Sequence, residues 1–331
     1  MSNGLTYPEA LVIGALQGVT ELFPVSSLGH SVILPALIGG RWARDLDVTA
    51  PESPYLAFVV GLHVATALAL LVFFWRDWVR VVRGFVSSVR HRRVTGPDER
   101  LAWMIILATV PVGLAGLLLE HTFRTVLGRP APAAVFLMLN GLLLLGAERL
   151  RRRAATAEPV GARAGDPVPV RIGAAQDGGT VFASAAAGAP GASQAAVDLA
   201  SDRRLAAGSM GGAVLVGAAQ VLALLPGISR SGATMAAGLL RGFTHEDAAR
   251  FSFLLATPVI LAAGVLKLPD LFGDLGAGIR GQVLAGSIAA GLSAYAAVKF
   301  LTRYFETRTL TPFAVYCLLA GLVSLIWLGV A

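Results

Sequence analysis

Apolar residues run through most of this chain in long stretches, and polar residues gather between them. Runs at about 55–75, 101–119, 133–147, 250–266, 281–300 and 312–330 approach or exceed the roughly 20 residues that cross a bilayer as a helix. Two further apolar segments, about 9–38 and 209–240, are broken in the middle by Pro24 and by Pro226-Gly227. Proline removes a backbone donor and clashes with the preceding turn, so each break ends a helix. Broken backbone at bilayer depth survives only where protein or a water-filled cavity surrounds it. Both segments therefore read as re-entrant helical hairpins. The expected fold is all-α and polytopic, with about six transmembrane helices and two such hairpins.

Composition agrees. Of 331 residues, 55% are hydrophobic and 14% charged, against about 25% charged in an ordinary soluble chain. Too few charges remain to cover the surface of a large soluble core. The formal charge of +7 does not point to nucleic acid, because the arginines sit in loops beside spans, where they set topology and meet anionic lipid. Met1–Glu9 has no basic stretch and carries an acid, so no cleavable signal peptide is expected there. Cys317 is the only cysteine. It excludes an internal disulfide and reads as a packing residue.

Loop charge sets the expected orientation. Arg76, Arg80, Arg83, Arg90, Arg92, Arg93 and Arg100 crowd the 76–100 loop, Arg149 to Arg153 open the 148–208 loop, and Arg303 and Arg308 lie in 301–311. All three loops are expected in the cytoplasm. The first hairpin then opens outward and the second inward. Gly14-Ala-Leu-Gln17 also matches Gly217-Ala-Ala-Gln220, and Pro24-Val-Ser-Ser matches Pro226-Gly-Ile-Ser. A hairpin plus spans, repeated with inverted topology, places a site at the midplane between repeats. The expected division is 1–150 and 208–331 as two membrane repeats. Residues 151–207, rich in Ala, Gly, Pro and Arg, are expected as a flexible cytoplasmic insertion.

The chemistry gathers at the two breaks. Gln17 and Glu21 are four apart and share a helix face. A lone carboxylate in a greasy helix is costly unless it meets a cation. Ser26 and Ser27 follow the Pro24 break and can cap a new helix, with His30 one turn on. Arg230 lies between Ser229 and Ser231 beyond the second break, with Thr234 a turn further. Its fork matches phosphate oxygens, and a helix N-terminus adds N–H groups and a positive dipole end. Helix capping or packing would account for single members of the set; His63, among apolar residues, is left open between packing and pocket lining. Together the residues suit chemistry on a phosphate ester.

These two motifs carry a resemblance. Gln17-x-x-x-Glu21 followed by Pro24-Val-Ser-Ser-Leu-Gly-His30, and Pro226-Gly-Ile-Ser-Arg-Ser-Gly-Ala-Thr234, resemble the undecaprenyl pyrophosphate phosphatases of the BacA (UppP) type. Both membrane halves take part, and only 151–207 is left out. Phe58 to Trp75 is similar to a third stretch of that family, with His63 where a glutamine is usual. Gln17 stands where many members carry glutamate, and Leu28 where others have threonine.

The resemblance implies hydrolysis of undecaprenyl diphosphate to the monophosphate and inorganic phosphate. That reaction recycles a lipid carrier for peptidoglycan synthesis at the outer face of the bacterial plasma membrane and confers bacitracin resistance. It implies Mg²⁺ or Ca²⁺ as cofactor, with Glu21 as metal contact and principal carboxylate. It implies Ser27 and His30 as nucleophile or base candidates, Arg230 as phosphate clamp, and Gln17, Ser26, Ser229, Ser231 and Thr234 lining the diphosphate site. Serine, histidine and water stay open as nucleophile. Expected partners are the polyprenyl diphosphate lipid and the bilayer, with no nucleic acid; a homodimer is compatible. The rival expectation is a transporter or flippase of an anionic polyprenyl phosphate lipid, which needs the anion site but no nucleophile.

Overall fold

The computed structural model describes residues 5–46, 54–156, 194–273 and 278–330. The described residues form α1 (Tyr7–Leu22), α2 (Ser27–Ile38), α3 (Gly40–Asp45), α4 (Pro54–Phe73), α5 (Trp75–His91), α6 (Pro97–Leu127), α7 (Pro130–Thr156), α8 (Gln194–Ala207), α9 (Met210–Ala218), a 3-10 turn (Ala219–Leu224), α10 (Arg230–Leu240), α11 (His245–Phe272), α12 (Arg280–Thr307) and α13 (Thr311–Val330). No strand occurs among them. Helices α6, α7, α11, α12 and α13 are each long and apolar enough to cross a bilayer, and α4 is so together with α5. Their outer faces expose large apolar side chains such as Leu118, Leu292 and Trp327, a surface that suits lipid and not water. The chain is a multi-pass all-α membrane protein.

Both breaks form where the prolines require them. α1 starts with Glu9 accepting the Thr6 backbone N–H at 2.8 Å, half of a capping box, and stops before Pro24. Ser26 turns the chain at φ 69° and caps α2 by accepting the Gly29 N–H at 3.2 Å. The second hairpin repeats this: the 3-10 turn runs up to Pro226-Gly227, and Ser229 caps α10 by accepting the Gly232 N–H at 3.1 Å. Gly227 has φ 111°, and a Cβ there would lie 2.3 Å from the Ala133 carbonyl oxygen. Only glycine fits. A Cβ on Gly29 would lie 2.9 Å from the Gly227 Cα, so the two breaks touch.

Packing follows a two-fold pattern. α1 packs on α12 and α9 on α6, while α7 pairs with α13 and α4 with α11. Gly14 of α1 leaves room for the Gly286 carbonyl of α12, and Gly217 of α9 leaves room for the Ala108 carbonyl of α6. Small residues let helix backbones approach closely in a membrane. The sequence-matched glycines of the two similar segments thus make matched contacts.

Two expectations are corrected. The 76–100 loop is largely helix, since α5 leaves α4 at an 85° bend. Asp77, Val81, Gly84 and Ser88 are buried along one stripe, while Trp75, Val79, Val82, Val86 and Val89 are exposed beside Arg76, Arg83 and Arg90. Apolar and basic residues sharing an exposed face suit a helix lying in the membrane interface. Part of 151–207, expected throughout as a flexible insertion, is helical. Residues 151–156 continue α7, 194–207 form α8, and 157–193 lie outside the described residues. Charge holds α8: Arg250 of α11 donates to Asp202 at 2.8 and 3.1 Å, Arg80 of α5 reaches Asp202 at 2.5 Å, and Arg204 clasps Asp247 at 2.8 and 2.7 Å. Asp202 and Arg250 are buried, and buried charges persist only when paired in this way.

Candidate active site

Glu21 ends α1 in a buried position, and residues from four helices close on its carboxylate. Ser27, at the start of α2, donates its hydroxyl to Oε2. Arg230, at the start of α10, donates from Nη2 to Oε1. Gln17, one turn back on α1, donates from Nε2 to Oε2 at 2.9 Å. His63 of α4 brings its Nε2 within 3.5 Å of Oε2 and 3.2 Å of Gln17 Nε2. Arg230 is anchored in turn by Nη1 donating to the Ala256 carbonyl of α11 at 3.1 Å. The carboxylate–guanidinium pair is what allows either charge to stay buried.

The hydroxyls of the second motif sit beside this centre. Ser229 and Ser231 Oγ lie 3.0 Å apart, and Ser231 donates to the Phe23 carbonyl at 3.2 Å. Thr234 Oγ1 bonds back to the Arg230 carbonyl at 3.0 Å and meets Ser252 Oγ at 2.6 Å. Ser26, besides capping α2, offers its carbonyl to His30 Nδ1 at 2.7 Å. His30 then meets Tyr316 OH through Nε2 at 2.7 Å, with the two rings stacked 5.8 Å apart. The structure thus joins Gln17, Glu21, Ser27 and Arg230, and turns His30 toward α13, away from any hydrogen bond to Ser27 or Glu21.

Asn140 of α7 escaped the sequence reading. Completely buried, it donates to the Pro24 carbonyl at 2.9 Å and accepts the Ser229 N–H at 3.0 Å. One amide thereby ties the first break to the second. The available signal was its position, a lone polar side chain inside an apolar span. Asn140→Leu is expected to leave the Ser229 N–H unpaired, at about 1–3 kcal/mol, and the Pro24 carbonyl with only its 3.8 Å contact to Cys317 Sγ. A lowered thermal unfolding midpoint of the detergent-solubilised protein would report that loss.

Two helix N-termini, those of α2 and α10, open at the Glu21–Arg230 pair, an arrangement that favours a bound anion. Among the described residues, no group of three or more His, Cys, Asp or Glu forms a ligand set. Glu21 is the single carboxylate here, and both its oxygens already accept from side chains. Alone, these donors are too few for a divalent cation. They fit one only when phosphate oxygens complete its shell, as is usual for Mg²⁺.

The sequence profile of the bacitracin resistance protein BacA family matches residues 10–323. An undecaprenyl-diphosphatase of Mycolicibacterium paratuberculosis is 64% identical over 329 residues, covering 99% of each chain. Undecaprenyl-diphosphatase 1 of Frankia casuarinae is 56% identical, covering 99% of this chain and all of the relative. Undecaprenyl-diphosphatase 2 of Chromobacterium violaceum is 41% identical, covering 96% of this chain and 98% of its own. With the match running across both breaks and nearly every helix, the chain belongs to the bacitracin resistance protein BacA family.

Proposed function

We propose that this protein is an undecaprenyl-diphosphatase. It hydrolyses undecaprenyl diphosphate to undecaprenyl phosphate and inorganic phosphate, recycling the lipid carrier of peptidoglycan synthesis and lowering sensitivity to bacitracin. The observation that carries this reading is the Ser27 hydroxyl on a carboxylate that is itself held by Arg230. A carrier of anionic lipid needs a cation and helix N-termini, but no hydroxyl seated on a base. That contact favours hydrolysis over transport.

In the proposed reaction the diphosphate enters where the two breaks meet. Arg230 has five N–H donors, of which two bonds are to Glu21 and Ala256, so donors remain for phosphate. Ser27 Oγ attacks the terminal phosphorus and Glu21 takes its proton. The bond to the bridging oxygen breaks, and undecaprenyl phosphate leaves. Water then attacks the phosphoserine, Glu21 returns the proton to Ser27 Oγ, and inorganic phosphate departs. Positioning and charge stabilisation supply most of the rate. A divalent cation, Mg²⁺ or Ca²⁺, would be held by Glu21 together with the diphosphate oxygens and would offset their charge. The matched contacts of Gly14 and Gly217 support 1–150 and 208–331 as inverted repeats around this site. The basic residues of α5 support a cytoplasmic place for that helix, with the reaction at the outer face of the plasma membrane.

The test is phosphorus NMR of undecaprenyl diphosphate incubated with the purified protein in vesicles, with and without EDTA. Appearance of one monophosphate lipid per inorganic phosphate, suppressed by EDTA, is expected. A diphosphate signal that stays intact would remove the hydrolase reading.

A further inference from the structure

We infer that His63 is a positioning residue that sets the orientation of the Gln17 amide on Glu21. The inference rests on the phosphatase reading of the site for its kinetic consequence, and on hydrogen-bond chemistry for its geometry. His63 Nδ1 lies 2.8 Å from the Val59 carbonyl. A carbonyl only accepts, so Nδ1 carries the hydrogen. Gln17 Nε2 has two hydrogens and no lone pair to offer. One goes to Glu21 Oε2 at 2.9 Å, and the other faces His63 Nε2 at 3.2 Å. With Nδ1 donating to the Val59 carbonyl, His63 Nε2 is therefore the acceptor of the second Gln17 hydrogen. The 3.5 Å between His63 Nε2 and Glu21 Oε2 then separates two acceptors and carries no bond.

The chain of contacts runs Val59 carbonyl, His63, Gln17, Glu21, across α4 and α1. It gives each hydrogen of the Gln17 amide an acceptor. Were the amide turned over, its oxygen would face the Glu21 carboxylate and also leave His63 Nε2 without a donor. Glu21 Oε2 thus keeps a fixed donor beside Ser27 and meets the serine in one orientation. Outer partners that orient a site residue in this way commonly alter activity about 10- to 100-fold when removed.

The test is a double-mutant cycle on the purified full-length protein with undecaprenyl diphosphate, with kcat and KM read separately. His63→Leu is expected to lower kcat about 10-fold while KM stays within about twofold. His63→Gln, whose amide oxygen accepts the same hydrogen, is expected to restore kcat to within about threefold of wild type. In a Gln17→Ala background, His63→Leu is expected to cost less than about twofold. Equal losses in both backgrounds, or failure of the glutamine to rescue, would overturn the proposal. Nitrogen NMR of histidine-labelled protein gives a readout free of turnover. The His63 signals, assigned by their loss in His63→Leu, are expected to show a proton on Nδ1 and an accepting Nε2, and Gln17→Ala is expected to move the Nε2 resonance. An unmoved Nε2 resonance overturns the positioning role. A wild-type protein that shows the shift but hydrolyses no diphosphate lipid strikes the phosphatase reading and supports the His63–Gln17 contact.

Discussion

Glu21→Gln is expected to lower kcat for phosphate release by about 10³-fold, within the range of a lost general base. The amide keeps the size of the carboxylate and can still accept from Ser27, but it cannot take the serine proton. The change also removes the counter-charge of Arg230, whose side chain is 14% exposed. Leaving one partner of such a pair uncompensated typically costs about 3–5 kcal/mol, so thermal unfolding must be followed alongside turnover. Glu21→Asp separates the two effects. It retains the charge and the proton acceptor, withdraws both by one methylene, and is expected to lose activity with a smaller loss of stability.

Arg230 supplies the second large effect. Arg230→Lys is expected to lower kcat about 10²-fold, the scale of one lost donor to developing charge. An ammonium keeps the charge but cannot bridge Glu21 and the Ala256 carbonyl as the guanidinium does. Arg230→Met is expected to lose more activity and to destabilise the fold, because Glu21 then stays buried and alone. The double variant Glu21→Gln, Arg230→Met removes both charges. Its unfolding midpoint is expected to lie above the sum of the single losses, since the pair is coupled, while phosphate release stays abolished. Recovery of activity in the double variant would show that neither group acts in the chemistry.

Much of the fold was legible because its signals are local. The apolar runs that became α4, α6, α7, α11, α12 and α13 needed no partner to be recognised. Pro24 and Pro226-Gly227 marked the breaks by backbone chemistry alone. α5 and α8 were missed because charge partners far along the chain pay for burying their polar residues. Arg80 meets Asp202 across 122 residues, and Arg250 meets Asp202 across 48. Composition within 194–207 reads as polar and unstructured until those partners are in place.

The site divides in the same way. Gln17 and Glu21 were visible as a helical pair at i, i+4, and the serines as caps behind a proline. The ion pair of Glu21 with Arg230 spans 209 residues, and the contact of His30 with Tyr316 spans 286. No local pattern could show that His30 turns toward α13 while Ser27 turns toward Glu21. Asn140 joins Pro24 across 116 residues and Ser229 across 89, and its role appears only when both breaks lie against α7.

In the proposed reaction Glu21 and Ser27 work as base and nucleophile on a diphosphate lipid. The most direct test is a single-turnover reaction of purified protein with undecaprenyl diphosphate labelled in its terminal phosphate, quenched in acid and followed by mass analysis of the peptide holding Ser27. A transient phosphate on Ser27 is expected in the wild type and none in Glu21→Gln. Full-rate phosphate release with no label on Ser27 at any time point would contradict these roles.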